Sequence, residues 1–213
     1  MFGGIFQWIS SHHNLLTVLT NAAMLAVWVV YAQLLLRTYK QQRKPRMVIS
    51  SSTGKKGGSR ILACNLSARA VFVETVMLRL SLEGDKKTER FIDESVVGQE
   101  ELDGLFGSVQ PGKAVELGPI LGLIANAWQE KKESLPVEDY REVEIVVIGF
   151  YAENRIPFAA GRRFNFAEIH QDRCTLNAKS VYTHHWVTPR ERKEVCCWLE
   201  RYYSLKASGS GDE

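Results

Sequence analysis

Ala70 to Leu82 reads AVFVETVMLRLSL, in which Val71, Val73, Thr75, Met77, Arg79 and Ser81 alternate with Phe72, Glu74, Val76, Leu78, Leu80 and Leu82. Over its second half one set is apolar and the other polar, the period of two expected of a half-buried antiparallel strand. The rest of the chain after Pro45 has the same texture, with short runs rich in Val, Ile, Phe and Thr separated by Gly, Asn, Ser and Pro. Seven strands are expected: Arg46 to Ser50, Arg60 to Leu66, Ala70 to Leu82, Thr88 to Asp93, Ala114 to Pro119, Val143 to Ala152 and Ile156 to Phe166.

The joints agree with that count. Ser51 to Ser59 reads as a hairpin loop, Glu83-Gly84-Asp85 as a short turn, and Glu153-Asn154-Arg155 as the close of the last hairpin. Asn65-Leu66-Ser67 leads into Val71, Val73 and Val76, and Val109-Gln110-Pro111-Gly112-Lys113-Ala114-Val115 precedes a later strand. In these turns and alternations the chain resembles bacterial immunoglobulin-like sandwich domains, without a Cys-Trp-Cys core. The resemblance implies an antiparallel β-sandwich, here over residues 47–182.

Two helices are expected beside the strands. Leu121 to Lys132 places Leu123, Ile124, Ala127 and Trp128 on one side and reads as an insertion between the fifth and sixth strands. Thr188-Pro189-Arg190-Glu191 combines an N-cap, Pro at the first helical position and Glu at the third, a capping box that opens a helix over 188–205. Val195, Trp198, Leu199, Tyr202 and Leu205 should pack that helix on the sandwich, and 206–213 should be a disordered tail.

Upstream of the β-rich region the chemistry is of another kind. Met1 to Leu36 contains no Lys, Arg, Asp or Glu, and within it Leu15 to Leu36 is a mostly apolar run of 22 residues. As a helix this run spans about 33 Å, enough to cross a bilayer once. Its seven Leu and four Val favour insertion by roughly 4 to 5 kcal/mol. Residues 1–14, with Phe2, Ile5, Phe6, Trp8 and Ile9, suit the outer interface, and 37–46 form a basic juxtamembrane segment. Arg37, Lys40, Arg43, Lys44 and Arg46 follow the span, against only His12 and His13 before it, so the positive-inside rule expects the N-terminus outside and the domain in the cytoplasm. Thr17, Thr20 and Asn21 share a face beside the small pair Ala22 and Ala26, a pattern suited to helix association and a homo-oligomer.

Charge narrows the partners. The chain has 27 Lys and Arg against 24 Asp and Glu, but five of the cations flank the span and no acidic residue precedes Glu74, so the domain is about two units negative. A nucleic-acid binder would carry its positive excess on the folded domain. Cys64, Cys174, Cys196 and Cys197 show no secreted disulfide spacing and suit a reducing compartment.

No catalytic motif emerges. His170, Cys174, His184, His185, Cys196 and Cys197 supply ligand types without ligand spacing, so no metal or cofactor is expected. Gly54-Lys55-Lys56-Gly57-Gly58-Ser59 lacks phosphate-loop spacing, and Arg162-Arg163 suits alternating strand positions as well as an anionic partner. The acidic stretch Asp93, Glu94, Glu100, Glu101 and Asp103 reads as a solvated loop.

The expectation is therefore a non-enzymatic, single-pass protein of the inner or plasma membrane, with the lipid bilayer and a protein as partners. Its cytoplasmic domain would be an interaction, scaffold or sensory module. The competing readings are a membrane-tethered hydrolase or metal-dependent enzyme using the His/Cys-rich C-terminal stretch, and a channel or transporter accessory subunit.

Overall fold

The computed structural model describes residues 12–42, 45–53, 58–82, 87–92, 106–129, 140–151, 156–170 and 173–209. The aromatic segment Phe2 to Ile9, the turns at 83–85 and 153–155, the basic loop 54–57 and the acidic stretch 93–103 lie outside them. The chain forms two units, Met1–Arg43 and Lys44–Glu213.

Among the described residues of the first unit, helix α1 (His13–Gln42) contains neither Gly nor Pro and is predominantly apolar over Asn14–Tyr39, with no marked polar face. Those 26 residues extend about 39 Å, long enough to span a membrane. The Thr20 and Thr38 hydroxyls donate to the carbonyls of Leu16 and Leu34, at 2.8 and 3.0 Å. Each thereby satisfies its hydroxyl inside its own helix.

The second unit is mainly β. Its strands are β1 (Met47–Thr53), β2 (Ser59–Asn65), β3 (Val71–Leu82), β4 (Lys87–Ile92), β5 (Gly107–Val109), β6 (Ala114–Pro119), β7 (Tyr140–Tyr151), β8 (Ile156–His170), β9 (Arg173–Ala178) and β10 (His184–Trp186). Two antiparallel sheets result, one ordered β1-β2-β6 and the other β10-β8-β7-β3-β4, with β5 also paired to β3 and β9 to β8. Every expected strand is present, β6 with the expected bounds and the others with shifted ones. β5, β9 and β10 are additions, and β10 carries the sheet past the expected limit at residue 182.

The two sheets enclose one core. Ile49, Ile61 and Leu117 from the small sheet meet Val76, Leu78, Leu80, Val143, Ile145 and Phe158 from the large one. Helix α2 (Ile120–Gln129) follows β6 directly and buries Leu123, Ile124, Ala127 and Trp128 in the same core. It starts one residue before the expected insertion, and residues 130–132 lie outside the described residues.

The alternation in β3 is not continuous, and this corrects the sequence reading. Val71 and Val73 face the same core as Val76, Leu78 and Leu80, so the inward set changes parity at Glu74. The register passes from Val73↔Gly149 to Thr75↔Ile148, leaving Glu74 as the extra residue of a β-bulge. Without that bulge Val71 and Val73 would point to the outer face.

The outer face of the large sheet carries a second core under helix α3 (Pro189–Gly209). Met77, Val146, Ile148 and Ala159 are covered by Trp186, Val195, Trp198 and Leu199. The capping box forms as expected: Thr188 N–H donates to Glu191 Oε2 at 2.9 Å, and Glu191 N–H to Thr188 Oγ1 at 3.3 Å. Two details differ. Leu205 is 57% exposed, because Tyr202 already meets Phe91 on the edge strand β4, ring centres 5.8 Å apart, and the helix has no further sheet to cover. Lys206 to Gly209, expected to be disordered, continue the helix.

Candidate functional site

Antiparallel register sets a row of alternating charge across four strands of the large sheet. Arg79 on β3 lies opposite Glu89 on β4 and Glu144 on β7, and Glu144 lies opposite Arg163 on β8. The contacts follow the register: Arg79 Nε to Glu89 Oε1 is 2.7 Å, Arg79 Nη1 to Glu144 Oε2 is 3.3 Å, and Arg163 Nε to Glu144 Oε1 is 3.0 Å. Arg201 from α3 extends the row beyond Glu89 at 2.6 Å, and Glu142 pairs with Lys179 on the far side. The Arg79 guanidinium also lies over the Trp198 ring, 4.6 Å from its centre, joining the charged row to the apolar seat of α3.

Electrostatics follow from this packing. Burial pushes the Glu89 carboxyl upward, but the Arg201 hydrogen bond and the charges of Arg79 and Arg201 outweigh it and hold the group below the usual carboxylate range. The Glu144 hydrogen bond and charge hold Arg163 more firmly protonated than a free guanidinium. A cavity of about 450 Å³ opens on the row, with Arg79, Ser81, Lys87, Glu89 and Glu142 in its walls. Because its carboxylates are engaged by guanidinium and ammonium groups, this surface offers a set charge pattern for recognition in preference to a general acid or base.

A second constellation closes the free edge of β1. His185 Nε2 sits 2.9 Å from the Met47 carbonyl oxygen and 3.1 Å from its nitrogen, binding one or the other according to tautomer. Ile49 N–H donates to Thr183 Oγ1 at 3.1 Å, and Arg162 Nη1 donates to the Ile49 carbonyl at 2.8 Å. Arg162 is thus engaged within the domain, as alternating strand positions allow, while Arg163, paired with Glu144, keeps a side chain that is 55% exposed. Side chains from β8, β10 and the loop before β10 satisfy edge groups that a third strand would otherwise pair.

Burial, opposed by backbone hydrogen bonding, lowers the pKa of His185, and the like charges of His184 and Arg46 lower it further. The folded pKa therefore lies below the unfolded one. As pH falls through about 6.5 the unfolded chain gains a proton that the folded state refuses, so stability drops on acidification. The thermal midpoint of the full chain in detergent should fall between about pH 7.5 and about pH 5.5, and His185→Gln should flatten that slope. An unchanged slope in the variant would remove His185 as its cause.

The residues singled out from sequence are dispersed. Arg37 is exposed on α1 and Arg46 at the start of β1, while the side chains of Lys40, Arg43 and Lys44 lie outside the described residues. Thr17, Asn21, Ala22 and Ala26 are exposed on α1. Among the ligand types, Cys174 is buried in the core and its thiol is pushed up to about 11 by burial, whereas Cys196 and Cys197 lie exposed on α3. His184 instead faces Glu191 at 3.6 Å, and no three His, Cys, Asp or Glu side chains among the described residues form a group able to hold a metal.

Sequence reading misses the row of Glu89, Arg79, Glu144 and Arg163. The available signal is the polar parity of β3, β7 and β8, but pairing opposite charges requires knowing which strands are neighbours. Compared with known proteins, the chain matches no family model, no curated protein and no solved structure.

Proposed function

We propose that this chain is a single-pass membrane protein that presents its β-rich unit to the cytoplasm as an interaction, scaffold or sensory module. The observation that carries the reading is the exposure of α1: Asn14–Tyr39 is predominantly apolar, with mean hydropathy 1.9, and its apolar window is not buried in the protein. Such a surface is costly in water and suits hydrocarbon. The β-rich unit has two hydrophobic cores of its own. Two antiparallel sheets, with the 65–67 and 109–113 turns tied together, support an immunoglobulin-like reading of the domain, elaborated by α2 and α3. The charged row and its cavity support recognition as the task.

Orientation rests on Arg37, Lys40, Arg43, Lys44 and Arg46, all following the uncharged run that ends at Leu36. A reporter active only in the cytoplasm, fused after Glu213, should be active, and changing all five cations to Gln should give mixed orientation. Activity of an externally folding reporter at Glu213 would overturn the topology and the class of partner together.

A further inference from the structure

We propose that the end of the β-rich unit where the chain enters it docks on anionic lipid headgroups through Arg46, Arg69 and Lys113 arranged around Leu66. This rests on the membrane-anchored reading above. Short bonds gather the four residues: Leu66 N–H donates to the Arg46 carbonyl at 2.8 Å, Asn65 N–H to the Lys113 carbonyl at 2.9 Å, and the Asn65 amide to the Arg69 carbonyl at 3.0 Å. The three cationic side chains are exposed, and none is in an ion pair with a described residue, whereas Arg79, Arg163, Lys179 and Arg201 are all paired. Leu66, at their centre, is 55% exposed.

Charge and apolar surface occur together here. Beside Arg69 a cavity of about 490 Å³ has Phe72, Pro111 and Phe150 in its walls, and Phe72 is 47% exposed. A lipid offers the complementary pair, a headgroup phosphate next to aliphatic surface. Residues 47–213 are net negative, so concentrating cations at the end where the chain enters gives the unit a preferred orientation towards an anionic surface. Reach permits the contact: residues 40–46 separate the apolar stretch from Met47, at most about 25 Å of extended chain.

The test uses the full chain with photo-reactive benzoylphenylalanine in place of Leu66, reconstituted in discs of phosphatidylcholine alone or with a third of the lipid as phosphatidylglycerol. Cross-linked lipid, read by mass, should increase with phosphatidylglycerol. It should fall by about fivefold for each of Arg46→Gln, Arg69→Gln and Lys113→Gln, the effect of one cation near an anionic surface. These side chains make no ion pair among the described residues, so the variants should unfold at the parent's temperature. Equal yields in both lipids, or no lipid adduct from chain that is retained in the discs, would overturn the docking alone and favour a protein partner for this surface. Failure of the chain to enter discs would overturn the anchor as well.

Discussion

Gly149→Ala is expected to abolish folding of the β-rich unit or to cost it more than about 4 kcal/mol, beyond the usual range for a single substitution. A Cβ at Gly149 would lie 2.0 Å from the Phe72 carbonyl oxygen, 3.0 Å from its carbonyl carbon and 3.1 Å from the Val73 Cα. All three are backbone atoms of the paired strand at the Glu74 bulge, so relief requires strand movement and loss of ladder bonds. The bulge in turn sets which face Val71 and Val73 occupy, so shifting it would unseat core residues on one side of it. Gly122→Ala is the control. Its Cβ would meet only Pro119, at 3.3 Å from Cγ and 3.9 Å from Cδ, on a helix where Ala is favoured over Gly by up to about 1 kcal/mol. Denaturant unfolding of both variants should therefore separate them widely. Equal midpoints would show that the close approach at Gly149 does not exist.

These two glycines mark what is legible in the sequence. Local patterns are readable because their partners lie within a few residues. Thr188 and Glu191 bond each other within one turn, and Leu78 and Leu80 face opposite to Arg79 and Ser81 for as long as the alternation runs. Glu74 is different, since a bulge leaves no local sign and is defined only by Gly149 some seventy-five residues away. β10 is hidden for a similar reason. His184-His185-Trp186 resembles a set of ligand types, but it is a strand because Trp186 covers Gly161, where a Cβ would come within 2.8 Å of the ring.

The same division runs through the candidate sites. The orienting cations are visible as an unbroken cluster after an uncharged stretch. The alternating row is invisible because its order, Glu89, Arg79, Glu144, Arg163, is a product of sheet topology. Arg46 is recognisable alone, but its grouping with Arg69, Lys113 and Leu66 depends on turns that meet across the sheet. One side chain makes them meet.

That side chain is Asn65, fully buried, and Asn65→Ala should destabilise the domain by about 3 kcal/mol or more. Its amide donates to the carbonyls of Arg69 at 3.0 Å and Val109 at 2.8 Å, while its oxygen accepts the Ser67 N–H at 2.9 Å. Truncation leaves two carbonyls and a donor without that partner. Asn65→Asp should distinguish this account from a simple loss of volume. The carboxylate keeps the acceptor for Ser67 but turns its second oxygen on two carbonyl oxygens in a buried site, which disfavours ionisation and raises the folded pKa above the ordinary value near 4. Below that ordinary value the protonated acid can donate to one of the carbonyls, and stability is lost as pH rises towards the folded pKa. Relative to the parent, the Asp variant should therefore gain on acidification, opposite in sign to the contribution of His185. Measured as denaturation midpoints at two pH values, a parallel pH response in variant and parent would show that the Asn65 amide is not the group holding these carbonyls.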